Sequence, residues 1–310
     1  MLHPLVDAID LRVSGREAAY DWLLPSLPRW SPRAHVQPRS EVQLRVDFGA
    51  PAPPAEPVLD LDLVHVSRES GGGLRVTAPR VGATIAHGEV ELVYEPSASP
   101  HCVQAVFDTI WPLALPTFGL FHLRAAVVRD PDERGWLVAG PPGTGKSTAT
   151  LALASTGWHF AADDAAYVAG PANAIVAHGW AAPLRITART AHAFGLERRA
   201  PHTEIRAEPV LDIALAGRRL DAIRVHRLLF AELGPATRIE PLGAGDALRR
   251  LAASSPWIGC LPLYARRYID QLAAIAALPA AVVVLGPELL DEPERLAQHL
   301  DAVAAEVVAA

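Results

Sequence analysis

The sequence predicts a mixed α/β protein in which a domain with a phosphate-binding loop follows a smaller, mainly β domain. Three observations carry that expectation. Residues 1–98 are filled with short stretches of alternating apolar and polar residues separated by Gly- and Pro-rich turns, the pattern of half-buried strands. From about residue 121 strand and helix signals alternate, as in an α/β layer. Within that second part, Gly140-Pro-Pro-Gly-Thr-Gly145-Lys146-Ser147 directly follows an apolar strand and directly precedes a helical run. The domains expected are therefore 1–98 and 99–310.

In chain order, Val42, Leu44, Val46 and Phe48 share one face of a strand at 41–48, with Glu41, Gln43, Arg45 and Asp47 on the other. Leu59, Leu61 and Leu63 alternate with Asp60 and Asp62 in a second strand running to about Val66. Gly71, Gly72 and Gly73 turn the chain into a strand at 74–77, and Val90, Leu92 and Tyr94 mark another. Together these read as a β-meander. A helix is expected at about 102–114, strands at 121–128 and 136–139, and a helix after the loop that stops at Gly157, a good residue for leaving a helix. A short strand at 158–162 ends in Asp163-Asp164. Residues 280–285 read as a late buried strand, and the final helix, from about Glu292, aligns Leu296, Leu300, Val303 and Val307.

The 310 residues suffice for a buried core without metal or disulfide staples. A net charge of −6 leaves no basic surface, which argues against nucleic acid as a partner. Cys102 and Cys260 lie far apart with no metal or redox spacing and read as reduced, buried thiols of a cytoplasmic protein. The start, MLHPLVDAID, lacks a basic segment followed by an apolar core, so no signal peptide is expected. The longest apolar stretch, 272–286, is broken by Pro279 and falls short of a membrane span.

One count singles out a position. Of 28 basic residues only Lys146 is lysine; the other 27 are arginine. Lys146 stands inside G-x-x-x-x-G-K-[ST], where each residue type has a physical reason. Glycines let backbone N–H groups turn inward around phosphate oxygens, and the helix N-terminus adds partial positive charge. Lysine is a compact point charge that reaches the β- and γ-phosphates, and the Ser147 hydroxyl suits Mg²⁺. The broad planar guanidinium is a poor replacement in so tight a loop. Composition alone gives a chance match on the order of a few in ten thousand. The nucleotide-binding residues expected are Gly140, Pro141, Pro142, Gly143, Thr144, Gly145, Lys146, Ser147 and Thr148. The acidic pair is expected beside the loop, because sites form at strand C-termini in open α/β sheets. One carboxylate would hold the metal, and the other would take a proton from an acceptor hydroxyl.

The stretch GKSTATLALASTGWHFAADDAAYV resembles the HPr kinase/phosphorylase family and its HPr kinase-like relatives, in which a helix after the loop ends in Gly and a strand delivers Ala-Asp-Asp. The resemblance, most specific over 140–164, implies a P-loop kinase domain of the HPr kinase/PEP carboxykinase type, with ATP and Mg²⁺ as cofactors. Asp163, 17 residues after Lys146, matches the family's catalytic aspartate, with Asp164 as a metal ligand beside it; the two roles are exchangeable between neighbours. The family has a histidine on the strand before the loop, near the phosphates, and His122 is the matching residue. Its downstream Glu-Ile-Arg-Gly-x-Gly signature is matched in part by Glu204, Ile205 and Arg206, with Asp212 eight positions after the Glu and with Ala207 and Pro209 in place of the glycines. That match makes Glu204 a second Mg²⁺ ligand and puts Arg206 near the phosphates.

The resemblance does not extend to the N-terminal domain, where HPr kinases carry an α/β module. HPr kinase-like proteins also occur as tailoring kinases of ribosomally made peptides such as lasso peptides, so the implied acceptor is a Ser or Thr hydroxyl of a peptide or small protein. Two alternatives stand beside it: a small-molecule kinase with the Arg-rich 198–206 stretch as a lid, and a hydrolytic or non-catalytic nucleotide switch. A homo-oligomer is compatible with the sequence. Lys146→Arg is expected to lose most turnover while remaining folded, as Lys146→Ala does, in an assay of ATP-dependent phosphoryl transfer. Near-normal turnover of the arginine variant would refute the point-charge role.

Overall fold

A computed structural model describes residues 2–6, 9–16, 40–53, 55–179, 184–196, 202–205, 208–213 and 217–308; at 2–6, 10, 40, 202–205, 208–213 and 303–308 the backbone alone is described. It divides into two compact units, Met1–His122 with Ser255–Asp270, and Leu123–Ser254 with Gln271–Ala310.

The first unit holds an eight-stranded sheet of β1 (Leu2–Val6), β2 (Ile9–Gly15), β3 (Ser40–Phe48), β4 (Pro57–Leu61), β5 (Val64–Arg68), β6 (Leu74–Ala78), β7 (Val81–Ala86) and β8 (Glu89–Tyr94). Its order is β1-β2-β3-β8-β7-β6-β5-β4. The meander expected from the sequence is present as β4 to β8, but β3 pairs parallel with β2 and β8 and not with β4, the strand that follows it. What reads as one strand at 59–66 is a hairpin. The backbone turns at Asp62, which takes φ 45°, a left-handed conformation that Asp tolerates better than most residues. Val42, Leu44 and Val46 are fully buried, as their alternation requires. Helix α1 (Pro100–Ala114) lies on β6–β8 and buries Val106, Phe107, Ile110 and Trp111. The first stretch of this unit ends at His122, within β9 (Phe121–Leu123). Cys102 and Cys260 are buried and unpaired.

The second unit contains β10 (Ala125–Arg129), β11 (Gly135–Ala139), α2 (Lys146–Ser155), β12 (His159–Ala162), β13 (Ala166–Ala169), β14 (Val176–Gly179), β15 (Leu184–Thr187), α3 (Ala188–Ala193), β16 (His202–Ile205), β17 (Glu208–Ile213), β18 (Ala222–Leu233), β19 (Arg238–Leu242), α4 (Ala244–Ala253), the end of α5 (Ala265–Ala276), β20 (Ala280–Leu285) and α6 (Glu294–Val308). The main sheet runs β12-β10-β11-β18-β14-β13, with β20 also on β18 and β19 on β20. Among the described residues β11, β18 and β20 form a parallel core, and β10, β12, β13, β14 and β19 pair antiparallel around it. The α/β alternation expected from the sequence therefore describes the centre of this sheet and not its flanks. A separate three-stranded sheet, β15-β17-β16, begins after β14 in the chain.

Two departures matter for the site. The single strand expected at 121–128 is broken at Arg124, between β9 and β10. The strand carrying the acidic pair, β12, pairs with β10 and not with β11. Because β10 is antiparallel to both neighbours, β12 still runs parallel to β11, one strand removed. The C-terminal ends of β11, β12, β18 and β20 thus share one sheet edge, and β10 begins there. Against this sheet α2 and α6 pack Ala149, Ala152, Leu153, Leu296 and Leu300 onto Val138, Phe160, Leu229 and Val283. Val303 and Val307 have side chains outside the described set. Among the described residues no helix is long and apolar enough to cross a membrane.

The turn that delivers β11 is held by a buried carboxylate. Asp130, 1% exposed, accepts hydrogen bonds from the Arg134 backbone N–H (2.8 Å), Arg134 Nε (2.9 Å) and Trp136 Nε1 (3.1 Å). Removing it orphans a buried indole N–H and half of an ion pair. Asp130→Ala should therefore cost about 3 kcal/mol in urea denaturation, with Asp130→Asn, which keeps an acceptor, costing less.

Candidate nucleotide-phosphate site

The loop between β11 and α2 is shaped by its glycines. Gly143 takes φ +79° and Gly145 φ +87°, a region that side chains with a Cβ rarely adopt. At Gly145 an added Cβ would also lie 2.9 Å from Leu285 Cδ1, closer than real contacts. Thr144 Oγ1 donates to the Pro141 carbonyl at 2.9 Å and staples the loop tip. Helix α2 follows without a side-chain cap, so the first-turn N–H groups have no intrahelical partner.

Lys146 opens α2 and is buried, 5% exposed. Its Nζ donates to the carbonyls of Gly140 and Pro141, each at 2.9 Å, and lies 3.7 Å from Asp164 Oδ1. Burial lowers its pKa, Asp164 pulls it back up and Arg124 pushes it further down. Ser147 Oγ donates to Asp163 Oδ2 at 2.8 Å, which also receives the Arg185 N–H at 3.4 Å. Asp163 Oδ1 is buried with no hydrogen-bond partner among the described residues. Burial pushes this carboxyl up to about 6; the Ser147 bond opposes the rise and the Asp164 charge adds to it. Thr148 is half-buried, and its Oγ1 shares a 3.0 Å hydrogen bond with Thr190 Oγ1 on α3.

The structure therefore brings together Gly140 to Ser147, Asp163 and Asp164, and it gives each carboxylate its own partner. Asp163 meets the serine, while Asp164 meets the lysine. His122 belongs to the first unit, where its Nδ1 accepts from Trp257 Nε1 at 3.1 Å and its ring stands edge-on to that indole. Glu204 lies on β16 opposite Pro209; its side chain, and that of Asp212, lie outside the described residues, as do Arg198, Arg199, Arg206 and Ala207 altogether. A residue that sequence reading missed is Arg124. Its Nε and Nη2 reach Asp164 Oδ1 and Oδ2 at 3.3 and 3.4 Å. No sequence signal marks it, because it reaches the loop only through the antiparallel placement of β10.

No family model matches the sequence, and no curated protein matches it. Among solved structures, the HPr(Ser) kinase/phosphatase from Coxiella burnetii is similar over 61% of this chain and 93% of that one, at 13% identity and a TM-score of 0.34. Similarity at this level leaves the functional reading to rest on the geometry.

The buried Asp163 carboxyl has a consequence for the nucleotide-free chain. Its folded-state pKa, about 6, lies above its ordinary 3.8, so the folded state holds the proton more tightly than the unfolded one. Its contribution to stability is present at low pH and is lost as pH rises from about 4 through about 6. Asp163→Asn should therefore gain stability relative to wild type between pH 4 and pH 7, by up to about 3 kcal/mol. Urea denaturation of both proteins across that range checks it; a difference that stays constant with pH would refute it.

Proposed function

We propose that this chain is an ATP- and Mg²⁺-dependent phosphotransferase that moves the γ-phosphoryl group to a Ser or Thr hydroxyl of a peptide or small protein. The observation that carries the reading is the opening of α2, where a buried lysine and a serine each face one of two adjacent carboxylates. A loop that only bound phosphate would need the glycines and the lysine; it would not need a carboxylate against each.

Magnesium fits the residues present. Ser147 Oγ and Asp163 are hard oxygen donors, and the buried, unpartnered Asp163 Oδ1 is an acceptor in want of a cation. The described residues contain no group of three or more His, Cys, Asp or Glu that could hold a metal; Mg²⁺ does not ask for one, since one or two carboxylates and the substrate's phosphates suffice. When bound, the ion would offset charge on the β- and γ-phosphates. We assign Ser147 and Asp163 to hold it and Asp164 to the phosphate end of the site. This exchanges the roles that the resemblance implies, and it follows from the partner each carboxylate has.

In that arrangement Lys146 and the loop's N–H groups hold the phosphates, and Asp164 accepts the proton of the acceptor hydroxyl. The hydroxyl oxygen bonds to the γ-phosphorus as the bond to the β–γ bridging oxygen breaks, and ADP leaves with that oxygen. The peptide or protein nature of the acceptor comes from the family resemblance.

The test is transfer from labelled ATP to serine peptides, with nucleotide binding measured in parallel. Asp164→Asn should lose on the order of 10²–10⁴ in rate without weakening Mg·ATP. Asp163→Asn should weaken Mg·ATP more than metal-free ATP. The opposite pattern would return the base to Asp163. ATP hydrolysis without transfer to any hydroxyl acceptor would replace the kinase by a nucleotide switch.

A further inference from the structure

We propose that Arg124 is a second phosphate-binding cation, which takes the γ-phosphoryl group of ATP together with Lys146, and that Asp164 occupies this place in the nucleotide-free chain. The inference rests on the phosphotransferase reading and adds a residue to its site.

The two cations converge on one atom. Asp164 Oδ1 lies 3.3 Å from Arg124 Nε and 3.7 Å from Lys146 Nζ. A terminal phosphoryl oxygen is an anionic acceptor like a carboxylate oxygen, and in that position it would find the same two donors. The guanidinium fork also suits a phosphoryl group, because it offers two parallel N–H bonds to paired oxygens.

The pair is loose. Its bonds, 3.3 and 3.4 Å, are long for charge-assisted contacts, which run nearer 2.8 Å. Arg124 and Asp164 are 41% and 55% exposed, so solvent screens the pair and exchanging its partner costs little. The Arg134–Asp130 pair in the same unit shows the contrast: 2.9 Å, with the carboxylate 1% exposed. That one is built into the fold, whereas the Arg124 pair is free to be replaced.

The register fixes where Arg124 stands. It immediately precedes β10, whose first residue Ala125 lies opposite Ala139, the last residue before the loop. Arg124 therefore flanks Gly140, the residue whose carbonyl receives Lys146 Nζ. When ATP enters, the guanidinium leaves Asp164 for the γ-phosphoryl oxygens. ADP has no such group, so with ADP the Arg124–Asp164 pair persists.

The discriminating measurement is titration calorimetry of Mg·ATP and Mg·ADP with the full chain, its Arg124→Gln and Arg124→Lys variants, and thermal melts to verify folding. Arg124→Gln should weaken ATP on the order of tenfold to a hundredfold and leave ADP affinity unchanged. Arg124→Lys, which keeps the charge and loses the fork, should fall between. Equal weakening of both nucleotides, or no weakening of ATP, overturns the role of Arg124. If the unaltered chain binds neither nucleotide, the phosphotransferase reading falls, and this inference falls with it.

Discussion

Burying an ammonium group is costly unless oxygens meet it, and much of the loop's form follows from how Lys146 is met. Its Nζ takes the carbonyls of Gly140 and Pro141, which requires the chain leaving β11 to curl back over the first turn of α2. That curl needs left-handed backbone at Gly143 and Gly145. The helix that follows starts without a side-chain cap, which leaves first-turn N–H groups without an intrahelical partner. A single buried charge thus ties together the glycines, the helix start and the shape of the loop.

The sheet supplies what the loop lacks. A loop at the end of one strand offers backbone donors and a lysine, but it brings no acid. Here β12 runs parallel to β11 with β10 between them, so the acidic pair arrives at the edge where the loop sits. The intervening strand runs the other way, and its first residues come to that edge as well. Three separate stretches of chain therefore meet at one place because of strand direction: 140–147, 163–164 and Arg124. The second unit's apolar layer, with Phe160 on β12 and Val138 on β11 packed against α2 and α6, keeps those strand ends in register.

The two carboxylates illustrate how neighbours in sequence acquire different chemistry. Successive residues at a strand end point apart. Asp163 turns inward to Ser147, loses solvent, and has its carboxyl pushed up to about 6. Asp164 turns outward, stays about half exposed, and is balanced by two cations. The inward acid keeps one oxygen without a hydrogen-bond partner among the described residues, whereas the outward one has two cations within 4 Å.

The loop and its flanking strand and helix were legible in the sequence. The lone lysine, the glycine spacing and the strand–loop–helix context all lie within 136–155, where chain continuity alone sets the geometry, and that part of the site needed no tertiary information. The alternation in 41–48 likewise fixed which side chains of β3 are buried, since pleating forces successive residues to opposite faces. Strand order was not legible. Nothing in the sequence placed β3 beside β8, or β10 between β11 and β12, because those pairings depend on which edges the rest of the chain leaves open. The hairpin at Asp62 was read through as one strand, since its leucine alternation continues across the turn. His122 was singled out through the family resemblance and Arg124 by nothing in the sequence; in the structure His122 accepts a hydrogen bond from Trp257, while Arg124, beyond the break between β9 and β10, pairs with Asp164. The residues able to do phosphate chemistry were determined by the sequence by itself; which of them share a site, and which partner each one faces, was decided only by the direction in which the strands between them run.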